Sequence, residues 1–142
     1  PYDTAWVEVD GRRMPSVPGG THWGGGVSIG ARDQARLAQL LLDGGLWRGQ
    51  RLINADFVHR MSEPCPVATF YGLLVWLNTG HGLSRAADVS AWTMQGAGGH
   101  LVLVDPTRQL VLVARWLDPA AQPAFIDRVL QAVDALPQEA QS

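Results

Sequence analysis

The side chains whose types could carry chemistry are four histidines, one cysteine and a scatter of serines. Their spacing limits what they can do. His22, His59, His81 and His100 lie far apart, with no His-Glu-x-x-His run and no Cys/His pairing around them, so the pattern supports no metal site. Cys65 stands between Pro64 and Pro66, with neither a helix N-terminus nor a histidine partner to make it a nucleophile. Ser28 and Ser84 lack both a Gly-x-Ser-x-Gly elbow and a Ser-x-x-Lys spacing. Gly24-Gly25-Gly26 lacks the Lys-Ser/Thr ending of a phosphate loop. All 11 basic residues are arginine, so Schiff-base and Ser-Lys chemistry are excluded within the chain itself.

One histidine has a more suggestive setting. His100 adjoins Gly96-Ala97-Gly98-Gly99, a run of small residues that lets backbone come close to a neighbour or a substrate, and it is the candidate pocket histidine. His22-Trp23 stands inside a Gly- and Pro-rich stretch and allows two readings, a pocket rim or a tryptophan that plugs the core. His59 reads as a solvent-facing helix residue, and His81 as a loop residue.

The element that must position the glycine run is a hairpin. Leu101–Val104 and Leu110–Ala114 are short, β-branched apolar runs joined by Asp105–Gln109, and their lack of polar alternation predicts two strands covered on both faces. Ahead of it, Ala5–Asp10 alternates as a half-exposed strand ending in a turn at Gly11-Arg12-Arg13, and Met14–Gly26 reads as loop. Ala31–Asp43 has helical apolar spacing, with Gly30 at its N-cap and Gly44-Gly45 as its stop. Leu46–Ile53 reads as a short hairpin or a tight excursion, and Asn54 caps a helix through Met61 that Pro64-Cys65-Pro66 ends. Phe70–Leu77 is a strand candidate, and Asn78–Val89 a surface loop of variable geometry. Asp118-Pro119, or Pro123, starts a last helix with Phe125, Ile126, Val129, Leu130, Val133 and Leu136 on one side, lying across the sheet.

With 142 residues, 46% hydrophobic and 17% charged, the chain is sized for one domain with a core, here residues 1–137 followed by a frayed tail at 138–142. A net charge of -2 gives no footprint for nucleic acid or an anionic membrane. No apolar run is long enough to span a bilayer, and the single cysteine excludes an internal disulfide while leaving the compartment open between periplasm and cytoplasm. The Pro1 start reads as a processed or truncated product.

Gly19–Gly26 with His22-Trp23, then Ala31–Leu37, Leu40–Leu42, Tyr71-Gly72, Trp76, Gly96-Ala97-Gly98, Val104-Asp105-Pro106 and Ala114-Arg115-Trp116, occur in an order that resembles serine hydrolases of the class C β-lactamase type. The branch that contains esterases and 6-aminohexanoate-dimer hydrolases is the nearest in pattern. The resemblance implies an α+β fold, an antiparallel sheet flanked by helices as in β-lactamases and transpeptidases, with the N-terminal part missing. It implies amide or ester cleavage through an acyl-enzyme, without a cofactor. The Ser-x-x-Lys and Tyr-x-Asn or Tyr-x-Ser elements of such enzymes precede the matched region and are absent here.

The third family motif, Lys-Thr-Gly or His-x-Gly, falls on Met94-Gln95-Gly96. By the resemblance, the Ala97 N–H is half of an oxyanion hole, Met94, Gln95 and Gly96 form the substrate-facing strand, His22 and Trp23 the pocket rim, and His100 a further pocket residue. Met94 cannot donate a hydrogen bond where the family has lysine or histidine, so that polar contact is lost or has moved to Gln95 or His100. The expected partners are a small amide or ester and the missing N-terminal part of the same domain, and the isolated chain is expected to be inactive and poorly soluble. The competing reading is a degenerate, non-catalytic binding module of the same fold, which the Met94 position suggests.

Overall fold

The computed structural model describes residues 6–9, 11–15, 29–96 and 98–137. They fall in two units, divided after Gly30. In the first, β1 (Trp6–Val9) pairs antiparallel with β2 (Arg12–Pro15), in a register from Trp6 opposite Pro15 to Val9 opposite Arg12. The pattern had given residues 12–13 to a turn and 14 onward to loop; they form a strand instead. Asp10-Gly11 is the dipeptide that two-residue hairpins favour, and Gly11 takes the positive φ of 71° such a turn requires.

The second unit is α+β. Its centre is a four-stranded antiparallel sheet in the order β5 (Trp76–Leu77), β6 (Trp92–Gly96), β7 (His100–Asp105), β8 (Leu110–Ala114). β7 carries the alternation that builds the core. Val102 and Val104 pack on one face with Ala38, Leu41, Met61, Val75, Leu77 and Trp92, while Leu101 and Leu103 pack on the other with Ala87, Ala91, Ile126 and Leu130. Helices cover both faces, so a strand with no polar alternation is what this position requires.

On the first face lies α1 (Ala31–Leu42), which presents Ala38 and Leu41 to the sheet. Its C-terminus closes as a Schellman turn: the Gly45 N–H donates to Leu40 O at 2.8 Å and the Gly44 N–H to Leu41 O at 3.0 Å. A two-residue turn at Arg48-Gly49 then joins β3 (Leu46–Trp47) to β4 (Gln50–Arg51). In α2 (Ala55–Met61) the Asn54 side chain accepts from the N–H groups of Asp56 and Phe57 at 2.7 and 3.3 Å, the cap expected of it.

The opposite face is covered by α3 (Gln122–Asp134). Asp118 caps a 3-10 turn at Pro119–Ala121, and Pro123 occupies the first turn of the helix proper, so both candidate starts are used in succession. Leu136 falls beyond the helix and is exposed.

Two segments differ from the pattern. Of Phe70–Leu77 only the last two residues are strand, because the chain doubles back at Leu74, whose φ is 62°, to set Tyr71 opposite Trp76 in an isolated bridge. Gly72 makes the fold-back possible. A Cβ there would come within 2.0 Å of Met61 O, the carbonyl that accepts from the Leu73 N–H at the end of α2.

Asn78–Val89 is also no variable loop. Asn78 has no exposed surface, and its amide donates to Ser84 O, Ala87 O and Asp88 O, each at 3.0 Å, while its Oδ1 accepts from the N–H groups of Leu83 and Ser84. From α3, Asp127 accepts from the Ser84 hydroxyl at 2.5 Å and from the Ala86 N–H at 3.2 Å. The loop is thus pinned from within and from the helix.

Candidate functional site

β6 connects the core to the glycine bend. Its first two residues are held on both sides, by β7 and by β5, which pairs Trp76 with Thr93 and Leu77 with Trp92. Beyond Thr93 the β5 side of β6 pairs with no described strand, so Met94–Gly96 presents an open backbone edge. Side chains alternate along it. Met94 is half-buried and packs into the core on the α1 face, among residues that include Val102 opposite it. Gln95 points to the other face, where its amide donates to the Oγ of fully buried Thr93 at 3.0 Å.

Gly96 differs from the glycines that follow it. Its φ is not positive, and an added Cβ would meet only the His100 Cβ, at 3.7 Å, which is ordinary contact. Among the described residues nothing requires a glycine there. Gly98 and Gly99 are needed. A Cβ on Gly98 would stand 2.8 Å from Trp116 Cζ3, and one on Gly99 would stand 1.8 Å from Leu117 O, where the chain after β8 crosses the bend and the Leu117 N–H donates to Gly99 O at 3.1 Å.

His100 opens β7 directly opposite Gly96, so it shares a sheet face with Met94 while Gln95 does not. Its ring meets Trp116 edge-on, with centroids 4.7 Å apart. Its Nδ1 is buried and has no hydrogen-bond partner among the described residues. Trp116 is held at φ 59° with most of its indole in solvent.

The structure places Met94 and Gly96 on one face of β6, with His100 opposite Gly96 on β7, and Gln95 on the other face. Ala97, His22 and Trp23 lie outside the described residues. Trp116, which the sequence offers only as the end of a strand motif, lies against Gly98 and His100: nothing in its neighbouring residues marks the positive φ that sets the indole at the bend.

The remaining chemical side chains are placed structurally. His59 is exposed on α2, 3.3 Å from the Glu63 carboxylate. The His81 Nδ1 lies 3.2 Å from Ala87 O in the pinned loop. The Ser84 hydroxyl donates to Asp127 and accepts from the Ala87 N–H, and this bond first, with the Ala86 and Arg85 N–H groups, holds the Asp127 carboxyl below its ordinary range against the opposing effect of burial. Among the described residues no imidazole completes that pair. Among the described residues no group of three or more His, Cys, Asp or Glu side chains could hold a metal ion, and no helix is long and apolar enough to cross a membrane. Neither the protein-family models nor the curated proteins contain a match to this chain.

Proposed function

We propose that this chain is the substrate-facing, C-terminal part of a serine hydrolase of the β-lactamase type, which cleaves an amide or ester through an acyl-enzyme. The open edge of β6 is one wall of the acyl site, and the N–H after Gly96 is one oxyanion donor, insensitive to side-chain identity because it belongs to the backbone. The nucleophilic serine with its lysine, and the tyrosine, lie outside this chain. By itself the chain is inactive.

The observation that carries the reading is Gly96: a glycine the fold does not require, on a stretch of strand edge with no described partner. A residue free to carry a side chain but lacking one is what close approach of a ligand to backbone calls for. The α+β order of helix, antiparallel sheet and covering terminal helix is compatible with it. The test is direct. The pure chain is expected to turn over neither nitrocefin nor p-nitrophenyl acetate, and the coding sequence ahead of Pro1 is expected to hold a Ser-x-x-Lys and a Tyr-x-Asn or Tyr-x-Ser. Turnover by the pure chain contradicts the reading, and absence of those elements removes its nucleophile.

A second reading is a non-catalytic binding module of the same fold. Met94 favours it, since a thioether packed in the core on the α1 face has no N–H to offer a substrate. Intact upstream elements together with turnover by the longer protein would exclude it.

A further inference from the structure

Trp116 is placed at a cost. Left-handed backbone in a bulky residue is strained and persists where surrounding structure enforces it. Here the enforcement comes from the bend: the Leu117 N–H is tied to Gly99 O, and the indole rests against Gly98, where no side chain intervenes. The strain does not serve burial, because Trp116 remains 77% exposed. It serves to hold an indole beside the bend, steadied edge-on by His100.

His100 adds a polar group to that platform. With Nδ1 buried and unpartnered, a proton on Nδ1 would be an unsatisfied buried donor, which is costlier than an unpaired lone pair, so the neutral ring carries its proton on Nε2. Nε2 lies on the Gly98 side, 3.6 Å from where a Cβ on that residue would stand, next to the indole. An aromatic surface with one hydrogen-bond donor at its edge matches a planar aryl group that carries an acceptor.

We propose that Trp116 and His100 form a subsite for the aryl group of an aromatic amide or ester, with Trp116 as its stacking surface and His100 Nε2–H as donor to the aryl carbonyl. The subsite rests on the acyl-transfer reading for its place in a reaction, since His100 stands opposite Gly96 at the end of β6, on its β7 side. It makes aryl substrates preferred over alkyl ones.

Binding can be tested without turnover, so the two proposals fail separately. The whole chain is titrated with benzamide and, in parallel, acetamide, while the indole Nε1–H resonances and the backbone amides are followed by NMR; Trp116→Leu identifies the Trp116 indole signal. Benzamide is expected to shift that signal and the Gly98 and His100 amides, with acetamide leaving them in place. Trp116→Leu is expected to weaken binding about tenfold and Trp116→Phe far less. His100→Phe, which keeps an aromatic edge against Trp116 but lacks the donor, is expected to lose the preference for benzamide over toluene. Equal response to acetamide, shifts spread evenly over the other indoles, or unchanged affinity in folded Trp116→Leu would overturn the subsite. Benzamide binding at Trp116 in a protein whose upstream sequence lacks a nucleophile would leave the subsite standing and remove the acyl-enzyme.

Discussion

Asn78 follows two apolar strand residues and looks, in sequence, like the first residue of a loop. Its side chain has no exposed surface and makes five hydrogen bonds to the loop's own backbone, standing in for the secondary structure the loop lacks. Asn78→Ala would leave those groups buried and unpaired, and is expected to destabilise the fold by about 3 kcal/mol, read from urea unfolding. Asn78→Asp should cost as much, because a carboxylate cannot donate to three carbonyls. A loss under about 1 kcal/mol would show that water replaces the network readily.

At the same scale, acid should loosen the loop's tie to α3. Asp127 is held below its ordinary carboxyl value of 3.8, first by the Ser84 hydroxyl, and Asp134 is held below the same value, first by Arg108, which reaches from the hairpin turn to the end of α3. In both cases the unfolded chain binds more protons than the folded one in this range. Their contribution is therefore complete above the unfolded value, and it falls away as pH drops from about 4 through the lower folded values. Asp127→Asn, which keeps an acceptor for Ser84 and Ala86, should flatten the fall in urea midpoint between about pH 4 and pH 2; an unchanged acid limb would contradict the assignment. None of this was visible in sequence, since Asp127 lies 43 residues from Ser84 and no motif links the loop of Asn78 and Ser84 to it.

At the scale of elements, the parts whose signals are local were legible. The α1 stripe, its Gly44-Gly45 stop, the Asn54 cap and the β7–β8 hairpin each announce themselves within a few residues, and the structure places them accordingly. The failures share a different cause. Phe70–Leu77 has strand composition throughout, but docking of Leu73 against Met61 O and the turn at Leu74 override it. Arg12–Pro15 becomes strand because a partner is available, not because its residues favour it. The glycine bend was recognised as an approach of backbone, and half of that approach is internal: Gly99 meets Leu117. Gly99→Ala, with its Cβ forced onto Leu117 O at a positive φ, is expected to cost more than about 2 kcal/mol and to release Trp116 from His100, seen as loss of the ring-current shift on the His100 protons. Retention of both stability and that shift would mean the bend relaxes without consequence.

At the scale of the molecule, the sheet of the second unit is covered on both faces, and among the described residues its β8 edge has no partner strand. β8 pairs with β7 on one side and with no described strand on the other, and Leu110–Ala114 contains no charge to discourage pairing with another chain. Size-exclusion chromatography of the isolated chain is expected to show elution that moves earlier with concentration; a sharp monomer peak throughout would contradict this. The central hairpin and the helix laid across the sheet follow from the apolar periods, while the α+β class entered as what the resemblance implies; the structure is α+β. The catalytic reading did not follow from periodicity, because its chemistry rests on backbone groups at an edge and on residues absent from the chain.

Gly96 is the residue at which the proposed acyl site can be tested against an ordinary strand edge. The fold accepts a side chain there, so Gly96→Val should leave the urea midpoint unchanged or slightly raised, while a branched side chain displaces any acyl group from the β6 edge. If the proposed nucleophile is supplied by a longer protein, kcat/KM of that protein toward an aryl ester is predicted to fall at least about a hundredfold with stability intact. Full turnover by a folded Gly96→Val protein would contradict the assignment of this strand to the acyl site.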